Sequence, residues 1–152
     1  RLSSGRNKTC VNTPDIMPTV LSLLGLAVPD TVSGKDISSA LINGHEFEND
    51  CLLIGTGPAA IWGDGREWRG LRTSEYTYAV YLSGGEELLF KNSDDRFQMN
   101  DLSKNEEYAD VLKLLKDKMH TKMDDIGDTF EKNSFYKKNC VSKRKIKRSF
   151  SS

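Results

Sequence analysis

Side chains able to do chemistry gather most densely between Gly57 and Trp68, where Trp62, Arg66 and Trp68 stand among Gly57, Gly63 and Gly65. A tryptophan face stacks on a sugar or aromatic ring and an arginine fork pairs with an anion, so this stretch is the candidate substrate contact. The competing assignment puts Trp68 in the core and Trp62 over a junction between subdomains, since large aromatic side chains are mostly buried. Just upstream, Leu52-Leu-Ile-Gly55-Thr-Gly57-Pro-Ala-Ala60 copies the strand and glycine turn of a dinucleotide-binding fingerprint, with Glu75 about twenty residues on as a ribose partner. Pyrophosphate binding there requires a helix to follow, yet Ile61-Trp-Gly63-Asp-Gly65 comes next, and each glycine costs a helix about 1 kcal/mol relative to alanine. An oxidoreductase is therefore the weaker class.

Other reactive patterns are incomplete. His45 and His120 lack a second histidine or carboxylate at metal-ligand spacing, and no run satisfies a calcium-binding EF-hand loop. Asp94-Asp95 reads as a turn and Asp124-Asp125 as a helix end, rather than as acid-base couples. No glycine-rich phosphate loop ends in Lys-Ser or Lys-Thr. The sequence thus holds no complete active site.

The elements that must position the Gly57–Trp68 loop are clearer. Trp68–Thr73 and Tyr76–Leu82, rich in aromatic, Val and Thr residues, predict a hairpin about a Ser74-Glu75 turn. Ser83-Gly84-Gly85 supplies a second reversal into a strand at Glu87–Phe90, and Leu52–Gly55 reads as a further strand before the loop. A helix follows, opened by a Ser103-Lys-Asn-Glu106 capping box, with Tyr108, Val111, Leu112, Leu115, Met119 and Met123 at steps of three and four. His120 falls on its polar face. Near the N-terminus, Asp15 can cap a short helix that carries Pro18 in its first turn and ends at Gly25; Val20, Leu21, Leu23 and Leu24 leave it apolar nearly all round. Such a helix needs neighbours on several sides. The expected fold class is α+β: a small antiparallel sheet of about four strands, packed by a C-terminal helix and preceded by a short helix.

Arg69, Arg72, Thr73, Tyr76 and Tyr78, then Glu87, Leu88 and Phe90, then Asp94, Gln98, Asn100 and Leu102 make a connected pattern. It resembles the C-terminal end of sulfatases in the alkaline-phosphatase superfamily, where an Arg-x-x-Arg-Thr-x-x-Tyr-x-Tyr hairpin leads to a Glu-Leu-aromatic strand, an Asp-Pro turn, Glu or Gln, and Asn-Leu. Arg96 or Asp95 stands where that family usually has proline, which removes a fixed φ from the turn. Thr13-Pro-Asp-Ile-Met-Pro-Thr-Val-Leu-Ser-Leu-Leu-Gly-Leu is similar to the family's Asp-x-x-Pro-Thr-Leu-Leu-x-Leu-x-Gly segment, and Pro29–Asp36 follows as its usual successor.

The resemblance implies the first two of three parts. Residues 1–45 are expected as the tail end of a main α/β sulfatase domain lying N-terminal to residue 1 and 46–131 as the C-terminal subdomain, while the third part, 132–152, is expected from its charge composition alone as a basic disordered tail. The resemblance also implies a full-length enzyme that hydrolyses sulfate esters with a formylglycine nucleophile and Ca²⁺, neither of which residues of this chain hold. The chain alone is then inactive, and its subdomain closes one wall of the substrate pocket. The implied partners are a sulfated small molecule or sulfated glycan and the N-terminal domain; the implied compartment is periplasmic, secreted or lysosomal. A phosphodiesterase or phosphonate hydrolase of the same superfamily is the near variant. Cys140-Val-Ser-Lys-Arg144 mimics the family's Cys-x-Pro-x-Arg nucleophile motif, but serine replaces proline and the motif falls in the tail.

Composition bounds the alternatives. Residues 132–152 hold eight Lys or Arg and no Asp or Glu, so 1–131 carries 22 acidic against 14 basic groups. The tail lacks the aromatic interleaving that stacking on bases uses, and nucleic acid is not an expected partner. A non-catalytic module whose tail binds a polyanion is the second function class. Three cysteines, Cys10, Cys51 and Cys140, allow at most one internal disulfide and leave the pairing open. The longest apolar stretch, Val20–Val28, is too short to span a membrane.

Overall fold

The computed structural model describes residues 7–46, 48–56 and 63–141, with 140 and 141 by backbone only. It is α+β, as expected. Helices α1 (Thr13–Leu23) and α2 (Ser38–Asn43) precede a sheet of β1 (Cys51–Gly55), β2 (Trp68–Arg72), β3 (Tyr76–Tyr81) and β4 (Glu87–Lys91). Helix α3 (Ala109–Ile126) crosses the sheet, and a short α4 (Asn133–Tyr136) follows. The strands lie in sequence order, every neighbouring pair antiparallel.

Register explains the core. Leu52 pairs with Leu71, Leu71 with Tyr78, and Tyr78 with Leu89, so one cross-strand row faces α3. Alternation along a strand sends these residues to a single face. Leu71, Tyr78 and Leu89 are fully buried there against Leu115, Met119 and Met123, three positions of the stripe read from the sequence. The Tyr78 hydroxyl donates to Glu87 Oε1 at 2.7 Å, and Lys116 Nζ reaches the same oxygen at 2.8 Å, tying α3 to β4.

Helix starts differ from expectation. Asp15 is not the cap of α1; Asn12 is, and Asp15 returns a carboxylate bond to the Asn12 N–H, so the box is built one turn earlier. Pro18 consequently falls in the helix interior, where it removes the donor that would satisfy the Pro14 carbonyl. At α3, the Ser103 hydroxyl bonds Asp101 instead of the helix, because a carboxylate already holding the Leu89 N–H is the stronger local acceptor. Asn105 then accepts from the Glu107 N–H and opens a single tight turn, Glu106–Tyr108, ahead of the α-helix.

Gly34 shows how the 33–35 loop seats on α1. A Cβ added at Gly34 would lie 1.9 Å from the Pro14 carbonyl oxygen, the group left without its helical donor by Pro18. The next residue's N–H donates to Asp15 Oδ1 at 2.8 Å, and the Thr19 hydroxyl accepts from the Ile37 N–H. Gly34→Ala must push this loop off the helix. We expect a loss of about 2–3 kcal/mol in urea denaturation with an unchanged m-value, and unaltered stability would show that the loop yields freely.

On its other sides α1 is uncovered: Ile16, Met17, Val20, Leu24 and Leu26 are all exposed, Leu24 at 68%. Among the described residues, an apolar helix built for neighbours thus meets them on one side only.

Candidate functional site

Of the three candidate contact residues, Arg66 and Trp68 fall among the described residues, and Trp62, with the rest of 57–62, lies outside them. Arg66 is exposed on the loop entering β2. Trp68 is half-buried at the start of β2, opposite Gly55 and Tyr81, with its indole pressed so closely on β1 that a Cβ at Gly55 would fall 2.0 Å from Nε1. Packing therefore already occupies part of the Trp68 ring, which gives the structural assignment weight for this residue.

The loop carrying Arg66 is anchored from both directions. Glu67 is wholly buried; its carboxylate accepts the Gly65 N–H at 2.7 Å and the Asn133 N–H at 2.6 Å. Asn133, equally buried, donates its side-chain amide to the Gly63 carbonyl at 2.8 Å. Asp64 accepts both the backbone N–H and the hydroxyl of Ser134, at 2.8 and 2.9 Å. Burial alone would raise the Glu67 pKa, but the backbone N–H donors of Asn133 and Gly65 outweigh it and hold the carboxyl below its usual range. Asp64 is lowered chiefly by the Ser134 backbone N–H.

Beneath this clasp lies Arg69, fully buried on the face of β2 that carries Glu67 and Leu71. Its guanidinium forks onto Asp128 through Nε and through Nη2, the latter at 2.9 Å, and Nη2 also donates to the Tyr136 hydroxyl at 2.8 Å. Nη1 donates to the Trp68 carbonyl, and the Phe130 ring stacks 4.7 Å from the guanidinium carbon. Gly127, at φ +67°, makes the left-handed turn that ends α3 and delivers Asp128 to Arg69. Burial opposes ionisation of Asp128, and the Arg69 hydrogen bonds overcome it and depress its pKa. Arg72 donates to the Thr77 hydroxyl at 2.8 Å and so braces the hairpin between β2 and β3.

The segment that follows α3 folds back onto the loop before β2. Residues 128–136 belong to the packed unit: Asn133–Tyr136 is a helical turn bonded to 63–69, and a wider turn continues through Lys137–Val141. The physical reason is polar rather than apolar, which is why hydrophobic periodicity did not reveal it. Glu67, Asp128, Asn133 and Tyr136 are the residues sequence reading missed. Their only local signal was the Gly127 stop after the α3 stripe, and their partners lie some sixty residues away in sequence.

Other candidates resolve into structure. β1 and β2 flank the glycine turn as antiparallel neighbours, which removes the βαβ context a dinucleotide fingerprint requires. His45 and His120 are exposed. Asp94 pairs with Lys91, while Asp95 Oδ2 accepts the Asn100 N–H and braces the turn that lacks the family proline. Cys140-to-Arg144 reaches outside the described residues. Among the described residues there is no group of three His, Cys, Asp or Glu side chains that could hold a metal ion. Among the same residues, no helix is long and apolar enough to cross a membrane.

Comparison with known proteins gives a consistent picture. No protein-family model matches the chain. It is 32% identical over 129 residues to an ulvan-active sulfatase from Formosa agariphila, covering 84% of this chain and 25% of that protein. It is 28% identical over 142 residues to an endo-4-O-sulfatase from Bacteroides thetaiotaomicron, covering 78% of this chain and 26% of that one. Among solved structures, it superimposes with a TM-score of 0.63 and 20% identity on a protein captured with its substrate D-glucosamine-2-N,6-O-disulfate, across 76% of this chain and 24% of the other. The chain spans about a quarter of the length of the curated relatives it matches.

Proposed function

Because the chain belongs to the sulfatases of the alkaline-phosphatase superfamily and corresponds to the C-terminal portion of their fold, we propose that it forms the substrate-side wall of an enzyme that hydrolyses sulfate esters of a glycan. The observation that carries this reading is the mounting of Arg66. An exposed guanidinium stands on a loop whose flanking residues are bolted by buried carboxylate and amide groups, so the charge is presented at a fixed place.

In this reading Arg66 pairs with a sulfate or carboxylate of the glycan, Trp62 stacks on a sugar ring, and Trp68 supports the base of the loop. The formylglycine nucleophile and the Ca²⁺ belong to the portion of the enzyme that this chain does not span, and the chain by itself is inactive. The uncovered apolar side of α1, from Ile16 to Leu26, docks on that portion and sets the wall against the site. Residues 1–45 thus complete the main domain while 46 onward forms the subdomain.

The test uses the full-length enzyme with a sulfated oligosaccharide. Trp62→Ala and Arg66→Ala each raise KM by about tenfold with kcat within about twofold, the signature of lost binding energy that is equal in ground and transition states. Unchanged KM in both variants would remove the loop from the substrate pocket.

A further inference from the structure

Cys10 and Cys51 take no part in the clasp or the candidate site. Cys51 opens β1 and is buried; Cys10 is half-exposed in the extended segment before α1, and both are reduced. That segment runs along β1, the edge strand of the sheet. The Asn12 side-chain amide donates to the Leu52 carbonyl at 2.8 Å, and the Asn49 amide donates to the Cys10 carbonyl at 2.8 Å. The same Asn49 nitrogen lies 4.0 Å from the Cys51 sulfur. One nitrogen therefore touches both cysteine residues, and both line a single cleft with Val11, Leu53 and Arg72. Burial pushes the Cys51 thiol up to about 11, and the nearby Cys10 adds to the rise. The two residues thus share one cleft and one neighbouring amide, and a bond between them requires the half-exposed Cys10 segment to bring the Cα atoms within roughly 7 Å.

We propose that Cys10 and Cys51 form a structural disulfide when the chain meets a low-molecular-weight disulfide such as oxidised glutathione. The Cys10 thiolate, the more accessible of the two, attacks one glutathione sulfur; the glutathione S–S bond breaks and one reduced glutathione leaves. The Cys51 thiol gives its proton to solvent and attacks the Cys10 sulfur of the mixed disulfide, expelling the second glutathione as thiolate. Two protein thiols are oxidised and one glutathione disulfide is reduced to two thiols. The new bond staples the segment entering α1 to the edge strand, so the helical part and the sheet no longer separate independently. It also shields an edge now covered only through side-chain amides.

The test takes the 152-residue chain as Cys140→Ser, leaving the two thiols in question, and treats it with oxidised glutathione. The expected product has lost two hydrogens, retains no glutathione, and yields a peptide linking residues 10 and 51. Its melting temperature rises on the order of 10 °C, a gain that reductant reverses and that Cys10→Ser in the same background abolishes. A lasting glutathione adduct on Cys10 with Cys51 still alkylatable would overturn the proposal, as would a disulfide-linked dimer or, in the unsubstituted chain, pairing of either residue with Cys140. A mapped 10–51 bond without any rise in melting temperature would overturn the staple.

Discussion

Arg69→Met is expected to destabilise the chain by about 3–5 kcal/mol, because it leaves Asp128 buried beside β2 without its cation. The loss is larger than the net worth of the pair, since the carboxylate stays desolvated and the Tyr136 hydroxyl and Trp68 carbonyl lose a donor as well. Asp128→Asn in the Arg69→Met background should recover part of it by removing the stranded charge, and urea denaturation of the four proteins closes the cycle. Additive losses would mean that the two side chains are not coupled. The same pair sets a pH dependence. Asp128 has a folded-state pKa below its unfolded value, so its stabilisation is fully present above the ordinary carboxylate range and is lost as pH falls through the depressed value. Stability of the parent chain should decline below about pH 4, and Arg69→Met should flatten that decline.

Glu67→Ala comes second, at about 2–4 kcal/mol, through the two backbone N–H groups it leaves without an acceptor in the buried clasp. Its effect differs in kind. Truncation frees the 63–67 loop and α4 together, so hydrogen exchange at the Gly65 and Asn133 amides should accelerate by far more than exchange in β3, whose ladder it does not touch. Uniform acceleration across both regions would show global destabilisation without local release. In the full-length enzyme the same change should raise KM in the manner of Arg66→Ala, because a loop free to wander no longer presents its guanidinium. Glu67 also titrates low in the folded state, so the variant loses part of the stabilisation that disappears as pH falls below about 4.

Much of the fold was legible because it rests on local rules. Alternating aromatic and β-branched residues in Trp68–Thr73 and Tyr76–Leu82, with Gly84-Gly85 between strands, specified the meander to within one residue at each end. The Leu115, Met119 and Met123 spacing specified the helix face that covers it. Capping was less legible because several short polar residues compete near each helix start; Asn12 over Asp15 and Asn105 over Ser103 were decided by which carboxylate was already engaged by a distant backbone group.

The candidate site divides the same way. Residue type and spacing by themselves determined that a tryptophan and arginine cluster lies on a glycine-rich loop before a sheet, and the Arg-x-x-Arg-Thr pattern pointed to the family. Only the tertiary structure decided that Trp68 packs over Gly55 while Arg66 is exposed, that Arg69 is a buried keystone rather than a surface cation, and that residues 128–136 return to clasp the loop. The reason is physical. Hydrophobic burial follows short sequence periods and can be read from one segment, whereas a buried polar group is stable only through partners that meet its hydrogen bonds, and in this fold those partners come from the far end of α3.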